Sequence, residues 1–253
     1  MTIFISRRTV LLKTAALAGI AFIPQVRAAS TWSAEAFERA RPIERAVVAH
    51  PFLRALAEGT IEREKILWYL AQNVGYLQSY AASLSRVCAK LESPEDRALL
   101  AQWIKDTAGT EDWTRGLLEK FSAGRDAAPL MRLRPTTLFY VSWEAKASLE
   151  GTAGEAWAAL LPCFTMYAVA GRFIAARIKP ENQYREWLSA YGDPAYGDPA
   201  YAKTVESAVA LADRLACKET PEGRARMTEN YLTSSRLEWA LWDAADKLED
   251  WTV

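Results

Sequence analysis

Histidine is nearly absent from this chain of 253 residues, which has only one, His50. That excludes an HExxH metalloprotease and any metal centre built from several imidazoles. Cysteine is scarce as well: three scattered residues are too few to staple a disulfide scaffold. Neither sign of charge is in excess, because 31 Lys plus Arg meet 31 Asp plus Glu. The basic footprint of a nucleic-acid binder is therefore missing. Sustained apolar–polar alternation, which would argue strands, is lacking, and so is a Gly/Ser-rich linker that would split the chain.

The charge balance hides an uneven distribution. Residues 1–28 hold four bases (Arg7, Arg8, Lys13 and Arg27) and no acid, so the remainder carries 27 bases against 31 acids. Ser6-Arg7-Arg8-Thr9-Val10-Leu11-Leu12-Lys13 is followed by an Ala-rich apolar stretch and by Val26-Arg27-Ala28. This segment resembles a twin-arginine export signal, with cleavage near Ala28. The resemblance implies passage through the twin-arginine export machinery to the periplasm, leaving residues 29–253 as the mature domain.

At 51% hydrophobic composition, that remainder is large enough to bury one sizeable core. Leu67, Leu70, Val74, Leu77, Ala81, Leu84, Cys88 and Leu91 recur at steps of three or four and predict one long core helix. Ser93-Pro94-Glu95-Asp96 and Thr220-Pro221-Glu222 carry a capping hydroxyl, a first-turn proline and acids at the positive end of the helix dipole. Such signals predict helices near 33–40, 43–58, 61–91, 94–122, 135–150, 152–178, 181–190, 200–216 and 221–248. The fold class is all-α, a helical bundle in one domain.

Three groups of residues can carry chemistry. Pro162 lacks an N–H, so a carbonyl near residue 158 loses its partner and the helix should bend beside Cys163. A thiol at a bend can face a cavity, although a free cysteine is also an ordinary small buried hydrophobe. Cys163 shares a face with Tyr167 and Gly171, while Tyr69, Asn73, Tyr76 and Tyr80 form a polar stripe on the long helix. The stripe fits either a pocket lining or the amphipathic border of a core helix. Near the C-terminus, Glu238 sits among Leu237, Trp239, Leu241 and Trp242. It either pairs with a cation such as Arg236 on a solvated face, or is buried with a raised pKa, the property of a general acid.

Taken in order, His50-Pro51-Phe52, Trp68-Tyr69-Leu70-Ala71-Gln72-Asn73 with Tyr76, Leu160-Leu161-Pro162-Cys163 with Tyr167, Pro180-Glu181-Asn182 through Tyr191, and Thr233-Ser234-Ser235 through Glu238 and Trp242-Asp243 resemble the TenA / thiaminase II family over residues 45–246. The resemblance implies a haem-oxygenase-like helical bundle, usually a homotetramer, that uses no cofactor and hydrolyses small-molecule pyrimidine substrates. The reaction converts aminomethylpyrimidine to hydroxymethylpyrimidine, and some members cleave thiamine. Carried over by position, Cys163 matches the nucleophile, Glu238 the acid, and Tyr76, Tyr140, Tyr167 and Tyr191 the pocket lining. Asn73 stands where the family has an aspartate on the pyrimidine edge, which leaves open a pyrimidine-binding or substrate-shifted relative with weakened catalysis. The tandem Tyr-Gly-Asp-Pro-Ala segment likewise leaves Tyr191 and Tyr196 as alternatives for one position. A haem or di-iron oxygenase would have only His50 as an imidazole ligand, and His50, just before a proline, is better placed to cap a helix. Cys88 and Cys217 are expected to be buried in core helices.

Overall fold

In the computed structural model, residues 30–185, 187–188 and 199–252 are described. The export segment, Tyr191 and Tyr196 lie outside them. Nine α-helices are present among the described residues: α1 (Trp32–Val48), α2 (Pro51–Glu58), α3 (Arg63–Lys90), α4 (Pro94–Ser122), α5 (Pro135–Glu150), α6 (Ala153–Leu160), α7 (Pro162–Ala175), α8 (Pro199–Ala216) and α9 (Pro221–Lys247). A short 3-10 turn, Ala128–Met131, precedes α5. No strand occurs among the described residues, and the all-α expectation holds.

The first half of α3 is buried on every face from Ile66 to Val74, which makes it the axis of the bundle. It packs most extensively on α4 and also meets α5, α6 and α9. Residues with the right local chemistry set the ends of the helices. Thr31, Ser93, Thr152 and Thr220 cap α1, α4, α6 and α9, each accepting a backbone N–H on its hydroxyl, and Thr152 and Glu155 close a reciprocal capping box. His50 caps α2 through Nδ1, which accepts the Phe52 N–H at 3.2 Å. The only histidine is thus used as a cap.

Two helix boundaries differ from the expected ones, and proline explains both. A break was predicted between residues 40 and 43, yet α1 runs through Pro42 and stops at Ala49. Asp213 holds the start of α1 by accepting from the Ser33 N–H (2.8 Å) and hydroxyl (2.7 Å), and Ala36, Ala40 and Val47 are fully buried along it. That packing tolerates one missing N–H, and the stop comes instead at His50, which Pro51 forces into extended backbone. The second difference is that 152–178 is two helices. Leu161 joins α6 to α7, and the Phe164 N–H bonds to the Leu161 carbonyl at 3.0 Å in a tight turn. Ala153–Ala175 is long and apolar enough to cross a membrane by composition alone, but 56% of that window is buried inside the bundle.

A side-chain clamp ties α2 to the segment after α7. Asn182 donates to the carbonyls of Leu56 (2.7 Å) and Ala57 (3.0 Å) and accepts from the Tyr184 N–H (2.8 Å). The approach requires Gly59, whose φ is 75° and where a Cβ would lie 3.1 Å from the Asn182 Cγ. Asn182→Ala strips partners from buried backbone groups, a loss of about 2 kcal/mol. It should lower Tm by roughly 4–8 °C for a chain of this size, measurable by scanning calorimetry. An unchanged Tm would mean that α2 is held by packing alone.

Candidate active site

A cavity of about 260 Å³ opens between α3, α4, α7 and α8. From α3, Asn73, Tyr76 and Tyr80 face it, and Cys163, just past the helix interruption at Leu161–Pro162, is on its wall. Cys163 keeps partial exposure, and that exposure is toward this cavity. The Tyr80 hydroxyl donates to the Leu160 carbonyl at 3.0 Å, just before the bend, so a side chain serves the backbone where the helix is irregular. Tyr167 lines this cavity and also a small apolar chamber of about 30 Å³ on its other side. Its hydroxyl bonds that of Tyr69, and its ring lies 5.9 Å from Trp242. Gly171 borders the small chamber rather than the main cavity.

One layer further in lies a cluster of phenols and carboxyls. The rings of Tyr76 and Tyr140 sit 5.0 Å apart. The Tyr140 hydroxyl donates to Glu238 Oε1 at 2.9 Å, and the Tyr76 hydroxyl lies 3.1 Å from Glu144 Oε1. Both carboxyls are buried, Glu144 at 0% and Glu238 at 1% exposure. Glu144 Oε2 has no hydrogen-bond partner.

Electrostatics follow from burial without a neighbouring cation. Desolvation pushes Glu238 from its usual value near 4.5 up to about 8, against a smaller opposing effect of the Tyr140 hydrogen bond. Glu144 is raised well above the usual range, by desolvation first and then by the charge of Glu238. Burial and the Glu238 carboxylate push the Cys163 thiol up, while hydrogen bonds from Tyr76 and Tyr80 act in the opposite direction. Glu238 is therefore mainly a neutral acid at neutral pH, and burial shifts Glu144 in the same direction.

The sequence-predicted residues separate into layers. Cys163, Asn73, Tyr76 and Tyr167 share the cavity wall; Tyr140 and Glu238 stand behind Tyr76 and do not line it; Tyr191 falls outside the described residues. The solvated alternative for Glu238 is overturned, since Arg236 is exposed while Glu238 is buried. Cys88 is half-buried as a core-edge residue, but Cys217 is exposed, because it lies just beyond the end of α8. Sequence reasoning missed Glu144, although it stands four residues after Tyr140 on the same face of α5. It also missed the far wall, where α4 contributes Asp106, Thr107 and Thr110 and α8 contributes Tyr201, which donates to the Phe164 carbonyl at 3.2 Å.

The raised Glu238 makes stability pH-dependent with a definite sign. In the unfolded chain the carboxyl loses its proton near pH 4.5, and in the folded chain near 8. Between those values the folded state holds the extra proton, so stability falls as pH rises across that window. Glu238→Gln removes this contribution. Its stability relative to the parent should rise between pH 4.5 and 8, toward a difference on the order of 4 kcal/mol. Denaturant melts at several pH values would show it, and a pH-independent difference would mean that Glu238 is ionised in the folded protein throughout.

Comparison with known proteins places this geometry in a family. The chain is 28% identical over 204 residues to an aminopyrimidine aminohydrolase of Bacillus subtilis (80% of this chain, 84% of that protein). It is 24% identical over 224 residues to one of Halalkalibacterium halodurans (87% and 98%). Among solved structures, a TenA homologue from P. horikoshii OT3 superposes with a TM-score of 0.72 at 22% identity, covering 86% of this chain and 99% of that one. A domain with a heme oxygenase-like fold from Shewanella denitrificans gives a TM-score of 0.64 at 13% identity, with 85% and 93% coverage. Since the model of the TENA/THI-4/PQQC family matches residues 37–247, the chain belongs to that family.

Proposed function

We propose that the protein is an aminopyrimidine aminohydrolase of thiamine salvage, with Cys163 as nucleophile and Glu238 as general acid. The observation that carries the reading is a partly exposed Cys163, next to the helix interruption at Leu161–Pro162, on the wall of a cavity shared with Asn73 and Tyr76. The curated relatives named above act as aminopyrimidine aminohydrolases over most of their length, which supports the same reaction class here. At about 260 Å³ the cavity lies at the small end of ligand pockets, a fit for one substituted heteroaromatic ring.

In this mechanism the Cys163 thiolate adds to an electron-poor ring carbon, forming a C–S bond and dearomatising the pyrimidine. The ring electrons then expel the amine from the exocyclic methylene, and neutral Glu238 supplies the proton that makes ammonia the leaving group. Water adds to the methylene and returns a proton to the Glu238 carboxylate. Loss of the thiolate restores the ring as hydroxymethylpyrimidine. Because neither Glu238 nor Tyr140 lines the cavity, the Glu238 proton passes through Tyr140 and then Tyr76, the phenol on the cavity wall. Asn73 offers the pyrimidine edge one donor and one acceptor, as an asparagine does for adenine, without a charge.

Purified protein is expected to release ammonia from aminomethylpyrimidine. Cys163→Ser and Glu238→Gln should each lower kcat/KM by at least about 100-fold. Equal turnover in parent and both variants would remove the mechanism. Tight calorimetric binding of the pyrimidine without product, with turnover gained in Asn73→Asp, would instead identify a capture protein.

A further inference from the structure

The proposed reaction needs a thiolate, yet the groups acting on Cys163 are Glu238, Glu144, Tyr76 and Tyr80, with no cation among them. A buried thiolate in such company depends on hydrogen-bond donors. Tyr80 also reaches Cys163, but its one proton is shared with the Leu160 carbonyl, to which it donates at 3.0 Å. Tyr140 spends its proton on Glu238. Of the phenols bonded to the two carboxyls, Tyr76 is the one on the cavity wall; its hydroxyl donates to Glu144 Oε1 when that carboxyl is ionised, and the bond reverses when the carboxyl carries the proton. Glu144 is fully buried, Oε1 faces the Tyr76 hydroxyl at 3.1 Å, and Oε2 faces nothing it can bond. A proton on this carboxyl is satisfied only at Oε1, where it is donated to the Tyr76 oxygen.

We propose that Glu144 is a positioning residue: by donating its carboxyl O–H to the Tyr76 oxygen, it turns the Tyr76 proton toward Cys163 and provides the donor that a thiolate requires. The same proton can rest on the Tyr140 oxygen while the sulfur is neutral, and it moves to the stronger, charged acceptor when the thiolate forms. Burial without a cation keeps the Glu144 carboxyl protonated, as this role demands. The assignment rests on Cys163 being the nucleophile and deepens that reading. It does not require any particular substrate.

The test is the pH profile of Cys163 alkylation by iodoacetamide in a chain carrying Cys88→Ser and Cys217→Ser, neither of which lines the cavity. Tyr76→Phe and Glu144→Met should each move the thiol titration up by about one pH unit, roughly tenfold slower reaction at a fixed lower pH. Glu144→Gln should restore the parent profile, because its amide N–H can donate to Tyr76 in place of the carboxyl. A purely packing role would not separate Met from Gln in this way. A downward shift in Glu144→Gln overturns the proposal, since it would mean that an ionised Glu144 had been repelling the thiolate. A parental profile in Glu144→Met or in Tyr76→Phe also overturns it. If Glu144→Met does not fold by circular dichroism, Tyr76→Phe and Glu144→Gln decide by the same signs. Because alkylation needs no pyrimidine, absence of turnover with these shifts intact sinks the hydrolase reading alone. Turnover without the shifts sinks this inference alone.

Discussion

Two carboxyl groups buried side by side with no cation to meet them is the constraint around which this bundle is organised. Ionising either one in such surroundings is costly, so Glu144 and Glu238 are held as acids at pH values where an exposed carboxyl is fully charged. A neutral acid can donate a proton where a carboxylate cannot. Tyr140 bonds to Glu238 and Tyr76 to Glu144, and the two tilted rings lie in contact, with Tyr76 between the acids and the cavity. The chain has one histidine, and it is fixed as the cap of α2. Burial instead brings a carboxyl, Glu238, into the neutral range.

The bend at Pro162 is the second half of the arrangement. A continuous helix would carry its own hydrogen bonds past Leu160 and have no use for the Tyr80 hydroxyl there. The interrupted one recruits Tyr80 to the Leu160 carbonyl and turns Cys163 outward from the core seam to the cavity wall. Backbone irregularity thus places the sulfur, and the same phenol that repairs the backbone sits beside it.

How much of this can be read without coordinates depends on the range of the interaction. Proline at residue 162 acts on its own turn, so an irregularity beside Cys163 was legible, as were the caps at Thr152 and Thr220. The stripe Asn73, Tyr76 and Tyr80 was legible as one face of α3, but its choice between core border and pocket wall was not, because α4 and α8 make that choice from the other side. Asp106, Thr107 and Thr110 look like any solvated turn of a helix; only the position of α7 converts them into a wall. Glu144 was concealed by similar logic. A carboxyl between Trp143 and Ala145 reads as surface until Tyr76, remote in the chain, is found against it. The path of α1 through Pro42 was illegible for the same reason, since the Asp213 anchor that outweighs the lost bond comes from α8.

Asn73 also takes on a physical meaning in this setting. The resembling family places an aspartate there, at the wall of a cavity that in this chain carries the Cys163 thiol, with Glu144 and Glu238 in the layer behind. A third carboxyl beside them would add a like charge within reach of Cys163, raising the cost of the thiolate and pushing the buried acids further from titration. An amide offers a heteroaromatic edge one donor and one acceptor, where an ionised carboxylate only accepts, and it brings no field of its own. With asparagine at residue 73 the cavity wall gains no further ionisable group there, and the two buried carboxyls stay behind the phenols.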